Sequence, residues 1–242
     1  MKDEQHKLSK RNGDASFQDL VKKGYLPEAI LNYIALLGWA PESEQEIYSL
    51  EELIKVFDIK RISKSPAIFD IDKLTWMNGM YLRAMSEEKF YETVKPYIEE
   101  AIKRPVDKMA VARILQPRTD VLSGIVESLD FIDVLPEYDN AMYIHKKMKT
   151  TYEIALKALK ASKEALEALN DWSSEEKLHD VLLALPAQME MKNGQILWPV
   201  RCAITGKQFT PGGAIEIAYI LGKEETLARI QIGIEKLEKE VA

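Results

Sequence analysis

Apolar residues recur along this chain at intervals of three and four, and only 11 Gly and 10 Pro interrupt them over 242 residues. That interval lines one face of an α-helix, so the pattern predicts an all-α fold with little strand. The first clear helix reads GYLPEAILNYIALLGW, with Pro27 suited to a first turn, Gly38 to the C′ position, and Ile30, Leu31, Ile34 and Leu37 forming a stripe. Ser49 followed by Glu52 makes a capping box, and Ile71 to Leu82 continues the helical spacing. Ser86-Glu87-Glu88 starts another helix carrying Phe90, Val94, Ile98 and Ile102, which Arg104-Pro105 ends. TTYEIALKALKASKEALEALN is the strongest helix, and Ser173 or Ser174 caps the next, which runs to Pro186. The stretch MKNGQILWPVRCAITGKQFTPGG, rich in Gly and Pro, is expected to be a long loop of the kind that carries function. Two helices flanking Gly222 close the chain. Composition shifts divide it into three helical modules, 1–84, 85–148 and 149–242.

Charge and composition exclude several classes. Hydrophobic residues make up 46% and charged residues 30%, too apolar for disorder as the general state. Lys+Arg 33 against Asp+Glu 39 gives a net charge of −6, which excludes a uniformly basic nucleic-acid binder and leaves room for a local basic face. The single Cys202 forms no internal disulfide, and three histidines supply no zinc cluster. With no apolar run of membrane-spanning length and no signal-peptide core, a cytoplasmic protein without a membrane partner is expected.

Two basic segments draw attention. HKLSKRNGD places Lys7, Lys10 and Arg11 before any helix: a solvated basic tail, or a mobile loop whose ammonium groups meet phosphate oxygens during phosphoryl or nucleotidyl transfer. Lys146, Lys147, Lys149, Lys157, Lys160 and Lys163 form a basic face in an acidic chain, read either as a solvated helix surface or as phosphate-contacting charge. Trp76, Trp172 and Trp198 read as core or loop anchors, Cys202 as a small buried residue, and His145 and His179 as having no catalytic role.

KLSKRNGD followed by GYLPEAILNYIALLGW resembles the second, KMSKS-type signature loop of class I aminoacyl-tRNA synthetases, in the version of bacterial-type glutamyl-tRNA synthetases. KLTWMNGMYLR, RCAITGK, TPGGAIEI and LGKEETLARI follow in the family's order, so the resemblance covers essentially the whole chain from Lys7. It implies a stem-contact helical domain followed by two helical anticodon-binding domains, the helical cage that distinguishes the bacterial type from relatives with β-barrel anticodon domains. It also implies ATP with Mg2+ and glutamate as the intact enzyme's reactants. Lys7 and Lys10 would stabilise the pyrophosphate charge, and Ser9, Lys10 and Arg11 would contact ATP. Asn12 stands where the family usually has His, and Arg11 where other class I enzymes often carry Ser.

For tRNA the resemblance points to Arg118 and Arg201 beside the anticodon and to the turn Thr210-Pro211-Gly212-Gly213, which presents backbone groups to bases. Lys146, Lys147 and Lys149 would meet phosphates of the anticodon arm of glutamate isoacceptors. The structural readings stay open beside these: Arg118 as a helix-terminal surface charge, and Arg201 as a tie between its loop and a neighbouring carboxylate. None of His6, His145 or His179 begins a His-Ile-Gly-His-type motif and no GxGxxG cradle is present, so the sequence reads as the C-terminal half alone. On that reading the chain is a monomer that binds tRNA and does not aminoacylate by itself. A stand-alone RNA-binding paralogue and a helical protein-interaction scaffold are the competing readings. Both lysines of KLSKR argue against the first and the end-to-end resemblance against the second.

Overall fold

A computed structural model describes residues 16–242, which hold twelve α-helices and no strand. Lys7, Ser9, Lys10 and Arg11 lie outside the described residues. These divide into two compact units, one of residues 16–97 and 116–125, the other of 98–115 and 126–242.

In the first unit, α1 (Phe17–Lys22), α3 (Leu50–Val56) and α4 (Ile71–Arg83) start where side chains satisfy orphan N–H groups of a first turn, whereas α2 (Pro27–Gly38) has no side-chain cap and starts on Pro27. Ser49 and Glu52 form the expected capping box, with the Ser49 N–H donating to Glu52 Oε2 at 2.7 Å and the Glu52 N–H to Ser49 Oγ at 3.2 Å. Leu20, Tyr25, Ile30, Tyr33, Leu74 and Met77 make the core. Asn78 on α4 accepts from the Leu26 N–H at 2.7 Å and donates to the Asp120 carbonyl at 2.6 Å, tying α2 and the 116–125 segment to one helix.

The buried face of α2 differs from the predicted stripe. Ala29, Ile30, Asn32 and Tyr33 are inside, while Leu31 and Ile34 are exposed. Asn32 belongs inside because its Oδ1 accepts from the Tyr48 N–H at 2.8 Å and the Tyr81 hydroxyl at 2.7 Å, a polar role that apolar periodicity does not register. Gly38 is the last helical residue, and Trp39 takes the cap.

α5 (Glu87–Ala101) carries Phe90, Val94 and Ile98, all buried, and Ile102 just beyond its end is buried too. The second unit continues with α6 (Lys108–Leu115), α7 (Ile125–Leu129), α8 (Tyr152–Ala168), α9 (Glu175–Gln188), α10 (Asn193–Thr205), α11 (Ala214–Leu221) and α12 (Lys223–Val241). α8 packs along α12 and α10, and α11 packs on α9, α10 and α12. α9 runs through Pro186 to Gln188, two residues past the predicted stop, and its N-cap Ser174 makes no side-chain cap hydrogen bond.

The largest departure from the sequence pattern is α10, which occupies most of the expected long loop. Pro199 inside a helix removes one backbone hydrogen bond at a cost of about 3 kcal/mol. Burial of Ile196, Trp198, Val200 and Ile204 on that helix outweighs it, each large apolar side chain contributing about 1.5–3 kcal/mol. Besides Met191 and Lys192, only Gly206 to Gly213 of that stretch remain non-helical, starting at a left-handed Gly206 cap with φ 62°.

Arg229 of α12 is 1% exposed and holds the second unit's segments together. Its Nη1 donates to the carbonyls of Phe131 at 2.7 Å and Ile204 at 2.8 Å, its Nη2 to Ile132 at 3.0 Å, and its Nε to Glu225 Oε1 at 2.6 Å. Arg104 completes the group, donating to Glu225 Oε2 at 2.8 Å and the Ile132 carbonyl at 3.1 Å. Arg229→Met strands the Phe131 and Ile204 carbonyls, leaves that of Ile132 to Arg104 alone, and is expected to cost about 3–5 kcal/mol in urea unfolding. A loss below about 1 kcal/mol would contradict the network's structural role.

Candidate nucleic-acid interface

Of the sequence-predicted contacts in the second unit, Arg201 stands on α10, the lysines on a turn tied to its first turn, and Thr210 to Gly213 on the segment that follows it. Gln195, Trp198 and Arg201 follow at three-residue steps, so each side chain neighbours the next around that helix. At its first turn, Gln195 Nε2 donates to the Lys149 carbonyl at 3.1 Å. In its middle, the Trp198 indole, 9% exposed and donating through Nε1 to the Met142 carbonyl at 3.0 Å, meets the His145 ring at a centroid distance of 4.1 Å. Towards its end the Arg201 guanidinium lies 4.6 Å from the Trp198 ring centroid and donates from Nη2 to the Gln208 carbonyl at 2.9 Å. The imidazole, tilted 56° to the indole, and the guanidinium thus both contact the Trp198 ring, the second as a cation–π pair.

The lysines project from a tight turn anchored on this helix. His145 and Thr150 pair as an isolated antiparallel bridge, the Thr150 hydroxyl donates to the Tyr143 carbonyl at 2.7 Å, and the Met148 N–H donates to His145 Nδ1 at 3.1 Å. Between them Lys146, Lys147 and Lys149 are exposed. Lys149 has φ 57°, a left-handed conformation that costs a side-chain-bearing residue about 1–2 kcal/mol, so the bridge holds the lysine turn against local strain. Lys160 and Lys163 do not extend this basic group: Lys160 pairs with Glu238 of α12 at 2.7 Å and Lys163 with Glu167 one turn on at 3.7 Å.

Beyond α10 the chain turns through Gly206 to Gly213. Thr210 Oγ1 donates to the Gly212 carbonyl at 2.7 Å, and Gly213 is the N-cap of α11. Pro211 and Gly212 are buried. A Cβ on Gly212 would stand 3.1 Å from Ile217 and 3.3 Å from Ile114, so close packing explains the glycine. Thr210 and Gly213 are partly exposed. Arg118 lies in the first unit, exposed, on a 3-10 turn Gln116–Arg118.

Arg201 therefore meets a backbone carbonyl and an indole. Trp198 is an anchor, as its sequence context suggests, and so is Trp172, whose Nε1 donates to the Leu169 carbonyl at 3.1 Å; Trp76 is 42% exposed. Cys202 is fully buried, and burial pushes its thiol up to about 12. The contact of Arg201 with Trp198 escapes sequence reasoning that treats 193–205 as loop, because the i, i+3 relation of Trp198 to Arg201 has meaning only on a helix. Among the described residues no group of three or more His, Cys, Asp or Glu gathers to hold a metal ion, and no helix is long and apolar enough to cross a membrane.

Residues 89–234 match the family described as anticodon binding domain, and residues 1–76 match that described as tRNA synthetases class I (E and Q), catalytic domain. A glutamate–tRNA ligase of Clostridium botulinum strain Hall is 59% identical over 237 residues, covering 98% of this chain and 49% of the relative. That of Clostridium tetani is 55% identical over 241 residues, 100% of this chain and 49% of the relative. The chain thus spans about half the length of the curated relatives it matches. A crystal structure of a glutamate tRNA ligase from Elizabethkingia meningosepticum, in complex with its amino acid, superposes with a TM-score of 0.79 at 27% identity, over 98% of this chain and 50% of that one.

Strain at Lys149 makes a direct check of the turn. Lys149→Gly removes the left-handed penalty and is expected to raise unfolding free energy by up to about 1 kcal/mol in denaturant titration. A loss of stability would mean that the lysine side chain, rather than the bridge, holds the turn.

Proposed function

The chain belongs to the anticodon binding domain family, and from that membership we propose that it is the tRNA-binding portion of a bacterial-type glutamate–tRNA ligase, contacting the anticodon arm of glutamate isoacceptors. The observation that carries the proposal is the α10 face. A guanidinium in contact with Trp198 and the Gln208 carbonyl sits at one end and three exposed lysines on a strained turn at the other. The two ends suit different chemistry. Lysines are compact point charges that neutralise phosphates and fix register without reading sequence. An arginine can donate to the edge of a splayed base, which is how single-stranded RNA loops are read.

Thr210 and Gly213, both partly exposed, are proposed to offer polar groups from the adjoining turn, and the buried Pro211 and Gly212 to hold its shape. Arg118 is proposed as a second anticodon contact on the strength of the family resemblance. The module boundary near residue 84 is supported by the two family matches falling on either side of it, at 76 and 89. The division at 148 is proposed on the start of the lysine-rich helix. In the whole ligase ATP with Mg2+ would activate glutamate before transfer to tRNA, with Lys7, Ser9, Lys10 and Arg11 assigned to ATP by resemblance alone. We assign the protein to the cytoplasm and expect a monomer.

One paired experiment tests the division of labour. Arg201→Ala should weaken binding to glutamate tRNA by roughly 1–3 kcal/mol and relax discrimination at one anticodon letter. Replacing Lys146 and Lys147 together by Ala should weaken all tRNAs alike and flatten the salt dependence of the binding constant. Unchanged anticodon preference in Arg201→Ala, with only a lowered melting temperature, would reduce Arg201 to a structural tie.

A further inference from the structure

Phe209 is 83% exposed, the most exposed large apolar side chain among the described residues. It stands alone on its turn: its neighbours Lys207, Gln208 and Thr210 are polar. Its backbone is nevertheless fixed on both sides. The Gln208 carbonyl accepts from Arg201 at 2.9 Å, and Thr210 closes onto the Gly212 carbonyl at 2.7 Å. Further back, the Lys207 N–H donates to Thr205 Oγ1 at 3.2 Å, and Lys207 Nζ pairs with Asp130 at 2.5 Å and donates to the Glu127 carbonyl at 2.9 Å. The left-handed Gly206 cap then locks the turn to α10 through its N–H to the Cys202 carbonyl at 2.9 Å.

An apolar ring held in water on an ordered backbone forgoes burial, and a single ring is too small an apolar surface for a protein partner, whose contact needs a contiguous patch. One flat ring does match one flat ligand. We propose that Phe209 is a base-stacking residue that receives an unpaired nucleobase of the RNA loop next to the base addressed by Arg201. The proposal rests on the anticodon-reading role argued above and adds to it a contact that no charge or hydrogen bond supplies. Stacking on an aromatic side chain tolerates any base, because every base has a π-face. Phe209 therefore contributes affinity and splays the loop, while letter selection stays with Arg201. Because Arg201 holds the Gln208 carbonyl, the reading group and the stacking ring are coupled through one hydrogen bond, and the ring is placed before RNA binds.

The test uses the full chain and a synthetic anticodon stem-loop of a glutamate isoacceptor carrying 2-aminopurine at successive loop positions. With the wild type, fluorescence at one loop position should be quenched on binding. Phe209→Ala should abolish that quenching and weaken binding roughly 5- to 100-fold, the range of lost base–aromatic stacking, with the melting temperature unchanged. Phe209→Tyr should restore both readouts, and Phe209→Leu, apolar without a π-face, should restore neither fully. The proposal is overturned if Phe209→Ala binds and quenches like the wild type, or if Leu replaces Phe as well as Tyr does. It is equally overturned if the wild type self-associates without RNA in sedimentation and Phe209→Ala does not, since the ring would then serve a second copy of the chain. Wild-type binding no tighter than to a stem-loop of scrambled loop sequence would overturn the anticodon-reading role itself. Discrimination retained by the wild type alongside an indifferent Phe209→Ala would remove the stacking assignment alone.

Discussion

A single buried guanidinium organises the second unit. Arg229 reaches from α12 to the carbonyls of Phe131 and Ile132 and to that of Ile204 near the end of α10, with Glu225 balancing its charge. Each carbonyl belongs to a place where helical hydrogen bonding runs out, and an arginine's fixed fork of donors can satisfy several at once. The cost of burying the cation is met by Glu225, whose carboxyl is held below the usual carboxylate range by hydrogen bonds from Arg104 and Arg229. A depressed carboxylate stabilises the fold above its unfolded-state pKa, and that contribution disappears as pH falls through the folded-state value.

The functional consequence lies three residues before Ile204. Arg201 meets the Trp198 ring on the same helix, so a helix end pinned by Arg229 also fixes the backbone from which the arginine assigned to base reading projects. The His145 and Arg201 contacts to Trp198 continue that order outward, and the Gly206 cap passes it to the turn carrying Phe209 and Thr210. Rigidity of this kind favours recognition because the ordering cost falls on folding instead of on binding. The lysine turn shares the same anchor through Gln195, which ties the Lys149 carbonyl to the first turn of α10.

Much of this was legible in the residues. The capping box at Ser49, the helix from Glu87, the Gly222 break and the all-α class all follow from local chemistry that the structure repeats. What was not legible depends on long-range partners. Leu31 and Ile34 fit the apolar interval of α2, yet Asn32 is inside because Tyr48 and Tyr81 need its amide oxygen. Gly194, Pro199 and Gly206 suggested a loop, yet the burial available between α8, α11 and α12 made a helix of residues 193–205. That one misreading hid the site's architecture, since the residues were named while their common face was not. Lys160 and Lys163 looked equivalent to Lys146 and Lys147, and only their proximity to Glu238 and Glu167 separates bound charge from the exposed turn.

The central claim is that one face, built on α10, receives the anticodon arm. Hydrogen–deuterium exchange of the chain with and without glutamate tRNA tests it most directly. Protection should concentrate in residues 145–150 and 201–213, whose amides lie on or beside that face, and should follow the anticodon arm when the isolated stem-loop replaces the whole tRNA. Protection confined to the first unit, with 145–150 and 201–213 unchanged at saturating tRNA, would contradict it.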